Sequence, residues 1–257
     1  MNVKEKYTIR EIDQKEAMDI ILEKHYLHRA RPSSYSFGLF EGEELIGVIL
    51  YSVPASPSLC MGICGKEERN NVMELARLWI KDDSLPNAES FLIANTMKKV
   101  KEDIIVSYSE PQHKHRGVVY QATNFIYCGL SAKRTDPKIK GMENKHPRGF
   151  EKNTKALKEE FGDENVKTVR RSRKHRYVYF NCSKGKRKYL IGKLKYEVFP
   201  YPKTNYIPTY NQKTPCHAEK PKVFNPLQCD VCKFISKDKE QFEWHLNRRY
   251  HLEQVDR

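Results

Sequence analysis

Apolar residues recur with the two-residue period of a strand in some parts of the first 195 residues and with the period of a helix in others. This pattern predicts a strand at 7–12, an amphipathic helix at 15–24 and a hairpin with strands at 34–40 and 45–53. The elements predicted after the hairpin are a strand at 72–80, a helix at 87–100, a strand at 103–108, a helix at 116–124, and strands at 127–133 and 175–180. Strands alternating with helices predict an α/β fold, with helices flanking a mixed sheet.

Composition divides the rest of the chain. Residues 135–165 are predicted to be an insertion, a loop rich in Lys, Pro and Gly followed by a helix at 151–161. Residues 196–224 are rich in Pro, Tyr, Asn and Lys and lack periodicity, which is typical of a linker of limited flexibility. We therefore predict an α/β domain at 1–195, a linker at 196–224 and a small module at 225–257.

The C-terminal module has the spacing of a zinc finger. Cys229, Cys232, His245 and His251 follow the arrangement C-x2-C-x12-H-x5-H. Two thiolates and two imidazoles complete a tetrahedral shell around Zn²⁺, and so short a segment needs the metal to fold. The spacing predicts a ββα finger with one structural zinc ion. The finger could hold DNA near the main domain, bind a protein or only stabilise the chain.

Basic residues are concentrated in the second half of the chain. The net charge is +14, yet residues 1–110 hold 18 Asp and Glu against 14 Lys and Arg. Residues 167–195 hold twelve Lys and Arg and no acidic residue, interleaved with aromatic residues. This pattern is typical of phosphate contacts beside stacking surfaces, and its alternative is a solvated basic face. The candidate DNA contacts are Arg170, Arg171, Arg173, Lys174, Arg176, Lys186, Arg187 and Lys188.

No stretch of the sequence approaches the roughly 20 apolar residues of a membrane span. The first residues also lack the apolar core of a signal peptide. We expect a cytoplasmic protein with no membrane partner.

The central strand and the helix after it resemble the GNAT acyltransferase superfamily. The resemblance lies in residues 74–80 (ELARLWI) and in the helix that opens at Asn87. In that superfamily two parallel strands splay apart, and a helix N-terminus, which favours an anion, meets the pyrophosphate of coenzyme A. The superfamily's phosphate turn, Arg or Gln-x-x-Gly-x-Gly or Ala, is replaced here by the glycine-free run 86–90 (PNAES), where Glu89 would repel a pyrophosphate unless turned away. The resemblance implies acetyl-CoA or a related acyl donor, with candidate contacts at Leu78, Trp79, Ile80, Asn87, Ala88 and Ser90.

Four segments resemble the Mom family of phage DNA-modification proteins, a divergent GNAT branch. They are residues 37–40 (FGLF) with 47–49 (GVI), 74–78 (ELARL), 117–125 (GVVYQATNF) with Tyr127 and Gly129, and 174–180 (KHRYVYF). The resemblance covers roughly residues 7–185 and includes neither the linker nor the finger.

This resemblance implies conversion of the exocyclic amine of adenine in double-stranded DNA to a carbamoylmethylated form, which protects phage DNA from restriction. The amine lies within the base stack, so the enzyme must flip the adenine into a pocket and offset a few kcal/mol of unstacking. The basic and aromatic second half could supply the phosphate and stacking contacts. A phage-encoded protein would act in the cytoplasm of the host cell.

The candidate catalytic residues follow from their predicted places in the fold. Tyr120 lies where GNAT proteins often place a tyrosine that protonates a leaving group, and its alternative is a core aromatic. Ser107, Tyr108 and Glu110 end the second parallel strand, where an α/β sheet usually opens its site. Glu110 could be a general base or cap a helix. His115, near His113, could contact phosphate or carry a proton, or be a surface histidine.

The Mom resemblance also implies iron, for which His25 and Tyr26 are candidate ligands without an obvious third. Two other functions stay open on the sequence. One is acyl transfer to another amine, on a modified pyrimidine, a protein or a small molecule. The other is a DNA-binding protein without catalysis.

We predict that Cys232→Ser unfolds only the C-terminal segment, because a module built around a metal should melt apart from the main core. Metal analysis of the full chain and of a chain that ends before Phe224 checks this. Equal zinc content in the two proteins would contradict the zinc assignment.

Overall fold

The computed structural model describes residues 2–142, 147–150, 152–205 and 207–211. The predicted zinc ligands Cys229, Cys232, His245 and His251, and the end of the predicted linker, lie outside the described residues. The described helices are α1 (Val3–Lys6), α2 (Gln14–Lys24), α3 (Pro57–Cys64), α4 (Ala88–Met97), α5 (Val118–Ala122), α6 (Thr154–Phe161) and α7 (Lys184–Lys193). The described strands are β1 (Tyr7–Glu11), β2 (Tyr35–Glu41), β3 (Glu44–Ser52), β4 (Val72–Ile80), β5 (Ile104–Ser109), β6 (Ile126–Leu130), β7 (Thr135–Ile139), β8 (Val166–Arg170) and β9 (His175–Phe180).

Seven of these strands form one sheet in the order β1-β2-β3-β4-β5-β9-β6, and β7 pairs with β8 in a separate ribbon. Within the described sheet β4 and β5 are parallel, whereas the other neighbours are antiparallel. The predicted α/β fold with helices flanking a mixed sheet is therefore confirmed.

The sheet buries apolar residues on both faces, because successive side chains of a strand point to opposite sides. Ile49 and Tyr51 of β3 belong to the cluster that includes α4 and Tyr120 of α5. Val48 and Leu50 pack instead with Ala17 and Ile21 of α2. On that second face, α3 and α7 cover the middle strands with a cluster that includes Cys60, Ile63 and Leu190.

Three described elements differ from the predictions. Helix α3 begins at Ser56, whose hydroxyl accepts from the N–H of Leu59, and Pro57 opens its first turn. Helix α7 buries only Leu190, so its sequence has almost no apolar periodicity to detect. The predicted loop at the start of the 135–165 insertion contains strand β7, which pairs with β8 directly after the insertion, and Pro137 is tolerated in β7 because that strand lies at a ribbon edge.

The chain after α7 returns to the domain. The Phe199 N–H donates to the Tyr127 carbonyl, and the Tyr201 hydroxyl donates to the Phe125 carbonyl. Gly129 has a φ of +70°, and a Cβ there would lie 2.8 Å from the Phe199 ring. The first part of the predicted linker is therefore packed against β6.

In the part of the chain that the structure describes, no helix has both the length and the apolar character needed to cross a membrane.

The free energies of unfolding of two variants should show which side chain donates the buried hydrogen bond between β3 and α4. The Thr96 hydroxyl donates to the Leu92 carbonyl at 2.7 Å, so the Tyr51 hydroxyl donates to Thr96 Oγ1 at 2.8 Å. Thr96→Val leaves the Tyr51 hydroxyl buried without its acceptor and should cost about 1–3 kcal/mol, more than the roughly 0.5–1.5 kcal/mol of Tyr51→Phe. Urea denaturation measures both. A Tyr51→Phe variant less stable than Thr96→Val would contradict this donor order.

Candidate active site

A cleft opens where β4 and β5 stop pairing. Their parallel register runs from Val72↔Ile104 to Leu75↔Ser107, after which β4 continues beside β3 alone. The gap forms a cleft of about 730 Å³. Its lining includes the outer half of β4, the end of β5, the start of α5 and the loop after α2.

Tyr120 reaches this cleft from α5. The helix starts at Gly117, whose φ is +78° and where a Cβ would lie 2.5 Å from the Tyr177 ring. The Tyr120 ring packs on Phe125 and Tyr177 with centroids 5.4 and 5.3 Å apart. Burial raises the pKa of Tyr120 to about 12, so its hydroxyl is protonated at neutral pH. Ser107 is fully buried, hydrogen bonds with the Tyr120 side chain and donates to the Leu75 carbonyl at 2.9 Å.

Glu110 lies at the end of β5 and also lines the cleft. Its Oε2 forms an ion pair with Lys174 Nζ at 2.8 Å, and the carboxylate is largely buried. Its Oε1 and the Ser109 hydroxyl are buried polar atoms without a hydrogen-bond partner among the described residues. Because an unpaired buried acceptor is costly, these two atoms mark a place where a polar ligand would be stabilised.

Tyr108 borders the cleft but belongs to a different cluster. Burial raises its pKa to about 12, and its side chain hydrogen bonds with Arg176. The Arg176 guanidinium lies 3.9 Å from the centroid of the Tyr196 ring. Tyr108 and Arg176 are therefore packed together on the α7 face of the sheet.

Four aromatic rings meet at the rim of the cleft. Tyr26 stacks on His25 at 4.3 Å and contacts His113 at 4.6 Å and His115 at 5.1 Å. Burial, followed by the positive charge of Arg77, lowers the pKa of His25 to about 4, and burial also lowers that of His115. The Tyr26 ring stays 45% exposed, which leaves a surface for stacking.

His25 and Tyr26 by themselves do not form a metal-ligand set. His25 Nδ1 accepts the N–H of Leu27 at 3.1 Å. Within the described residues no three His, Cys, Asp or Glu side chains are grouped to hold a metal ion. The described residues therefore supply no third ligand from these four residue types beside His25 and Tyr26, and no role is assigned to iron.

The residues predicted to contact an acyl donor are divided by the fold. Leu78, Trp79 and Ile80 line the cleft, whereas Ala88 is buried inside α4. Asn87 caps α4 in the left-handed conformation without a side-chain hydrogen bond, and the Ser90 hydroxyl donates to the Asn87 carbonyl. The carboxylates of Asp82 and Glu89 line the cleft at this point. Glu89 lies in the first turn of α4, where its carboxylate opposes the pyrophosphate of coenzyme A because like charges repel.

The predicted DNA contacts are also divided. Arg173 is buried and its Nε donates to the Ser131 carbonyl, while Lys174 pairs with Glu110 in the cleft wall. Arg171 pairs with Asp136 at 3.8 Å, and Lys186 pairs with Asp103. The remaining members of the set are Arg170, Arg187 and Lys188, of which Arg170 and Lys188 are exposed.

Glu74 and Arg77 line the cleft and were not predicted from the sequence. Arg77 Nε donates to the Arg29 carbonyl at 2.8 Å, and Glu74 pairs with Arg31 at 2.8 Å. These contacts attach the loop after α2 to β4. The available signal was the presence of two charged residues in an otherwise apolar strand.

The sequence pattern of the Mom protein family matches residues 6–203. The methylcarbamoylase Mom of Escherichia phage Mu is 31% identical over 201 residues, which cover 73% of this chain and 80% of the phage protein. This chain belongs to the Mom family. The predicted resemblance is confirmed, and the matched residues include Tyr120, Ser109 and Glu110 of the cleft.

Solved acetyltransferases also align with this Mom-family chain. The alignment with a GNAT-family acetyltransferase from Bacillus cereus covers 69% of this chain and 99% of the acetyltransferase chain, with 10% identity and a TM-score of 0.39. A putative acetyltransferase from Salmonella typhimurium, solved with acetyl-CoA, covers 69% and 95%, with 12% identity and a TM-score of 0.40. The family assignment rests on the two sequence matches.

Acid should destabilise the protein through His25. Its folded pKa of about 4 lies below its ordinary value of 6.5, so the unfolded chain binds more protons between these values. Stability should therefore rise with pH across this window and be lost as the pH falls. Protonated Nδ1 can no longer accept the Leu27 N–H. His25→Asn keeps an acceptor two residues before Leu27 and removes the titration, so it should flatten this dependence.

Urea midpoints measured from pH 4 to pH 7 check the effect. The same slope in His25→Asn and in the unchanged chain would show that other groups cause it.

Proposed function

We propose that this protein transfers a carbamoylmethyl group to the exocyclic amine of adenine in double-stranded DNA. Membership of the Mom family and the name of the phage Mu relative as a methylcarbamoylase support the reaction class. The observation that carries the proposal is the cleft that holds Tyr120, Glu110 and the unpaired Ser109 hydroxyl. It combines a proton acceptor and a proton donor, which substitution at an amine requires.

Glu110 serves as the proton acceptor. The adenine nitrogen forms a bond to the carbon of the incoming group and gives up one proton as it does so. Glu110 Oε1 has no partner among the described residues, and Lys174 holds the other oxygen, Oε2. The Ser109 hydroxyl, which also lines the cleft, can accept from the second hydrogen of the amine.

Tyr120 serves as the proton donor. As the bond between the transferred group and its carrier breaks, the leaving atom takes the Tyr120 proton. The raised pKa of Tyr120 keeps that proton in place until the leaving group develops charge. No step is assigned to coenzyme A, because the carboxylate of Glu89 in the first turn of α4 opposes its pyrophosphate.

The aromatic rim suits a base that has left the stack. Flipped bases are held by stacking on aromatic side chains. The Tyr26 ring is exposed at the rim and is fixed from behind by His25, His113 and His115. An adenine that enters over Tyr26 would bring its amine toward Glu110, whose charge already influences the Tyr26 hydroxyl.

Tyr120→Phe should lower the rate of adenine modification about 100-fold to 10,000-fold, as expected for loss of one positioned proton donor. Duplex affinity should stay unchanged because the hydroxyl is buried. Tyr51→Phe is the matched control, since it removes another buried tyrosine hydroxyl, one that does not line the cleft. It should cost stability but not rate.

Mass spectrometry of nucleosides from DNA of cells that express each variant measures the modification. The expected product is deoxyadenosine with one hydrogen replaced by a carbamoylmethyl group. DNA that is bound but carries no modified adenine would overturn the proposed function. Wild-type modification by a destabilised Tyr120→Phe protein would make Tyr120 a packing residue.

A further inference from the structure

The fold separates the basic stretch at 167–195 into two surfaces at opposite ends of β5. Helix α7 lies near the start of β5, where Lys186 pairs with Asp103 and the Asn181 N–H donates to the Asp103 carbonyl. The connection from β8 to β9 lies at the other end, where Ser109 pairs with His175 and Lys174 reaches Glu110. The β7–β8 ribbon is therefore joined to the sheet at the end of β5 that lines the cleft.

The ribbon exposes one basic face. Its register places Lys138 opposite Lys167 and Asp136 opposite Val169. These four side chains share a face, because residues two apart in a strand point the same way. Lys167 and Val169 are exposed, Val169 by 47%. Two lysines beside an exposed valine suit contact with a polyanion that also offers an apolar surface.

The other face and the base of the ribbon are fixed. Ile139 and Val166 pack with Leu157 of α6 in a small core of their own. At the base, the Arg171 N–H donates to the Arg134 carbonyl, and the Arg170 guanidinium lies 5.0 Å from the centroid of the Tyr210 ring. The negative charge of Asp136 is balanced by Arg171. The packed face and the base contacts therefore leave the face of Lys167 and Val169 toward solvent.

The dimensions match a DNA groove. Five residues of extended chain span roughly 17 Å, and the major groove, about 12 Å wide, admits a two-stranded ribbon. We propose that the β7–β8 ribbon enters the major groove of the duplex whose adenine occupies the cleft. Lys138 and Lys167 contact the phosphates along the groove, and Val169 contacts base edges such as the thymine methyl group. This assignment rests on the proposed function, since it takes duplex DNA as the substrate.

Salt-dependent binding of the full chain to a fluorescent duplex tests the assignment. The ribbon variant carries Lys138→Ala and Lys167→Ala and should lose about two phosphate contacts, which makes the dependence of affinity on salt less steep. Between 50 and 200 mM salt its affinity should therefore fall about 12-fold less than that of the unchanged chain. The charge-matched control is Lys184→Ala with Lys188→Ala, two exposed lysines of α7. It should leave the slope unchanged.

Protection of guanine N7 from methylation identifies the groove, because N7 faces the major groove. The unchanged chain and the α7 variant should protect N7, and the ribbon variant should lose that protection. Any of three results would overturn the ribbon assignment. The ribbon variant could keep the salt slope of the unchanged chain, it could still protect N7, or the unchanged chain could bind single-stranded and duplex DNA equally. None of these measurements requires catalysis, so duplex binding and N7 protection without adenine modification would overturn only the proposed function.

Discussion

The short parallel pairing between β4 and β5 is the constraint on which the site depends. After Leu75 and Ser107 the two strands share no further register, and β4 is held by β3 while β5 is held by β9. Each strand therefore remains part of a sheet although the two have separated. The gap is stable because both of its walls are paired on their outer sides, which is how a rigid sheet can contain an opening of substrate size.

Burial sets the chemistry of that opening. Tyr120 and Glu110 line one cleft but have opposite electrostatic surroundings. Tyr120 lies among apolar rings, where desolvation opposes its ionisation. Glu110 has a lysine on one oxygen and no partner on the other among the described residues. The cleft thus combines a hydroxyl that keeps its proton with a carboxylate paired to a lysine, and the proposed function uses the two as proton donor and proton acceptor.

The basic residues of 167–195 are divided between the two ends of β5. Lys138 and Lys167 lie opposite each other on a ribbon whose other face is packed on α6. At the opposite end of β5, Lys186 is balanced by Asp103. Residues that are near one another in sequence therefore differ in what they can contact while a base occupies the cleft.

The sequence by itself determined the elements with strong periodicity. Strands β4 and β9 and the helix that opens at Asn87 follow from apolar spacing and turn residues, and the family follows from short motifs such as 117–125. Tyr120 was identified because one of these motifs contains it. Helix α7 and strand β7 were missed, since the first buries only Leu190 and the second contains Pro137.

Only the tertiary structure decided which charged residues act together. Lys174 and Glu110 are far apart in the chain and meet because β5 and β9 are antiparallel neighbours. Arg173 and Lys167 look alike in a basic sequence, yet one is buried against Ser131 and the other is exposed on the ribbon. Local patterns fix strands and helices through spacing, whereas pairing and burial depend on contacts between distant parts of the chain, which no local pattern contains.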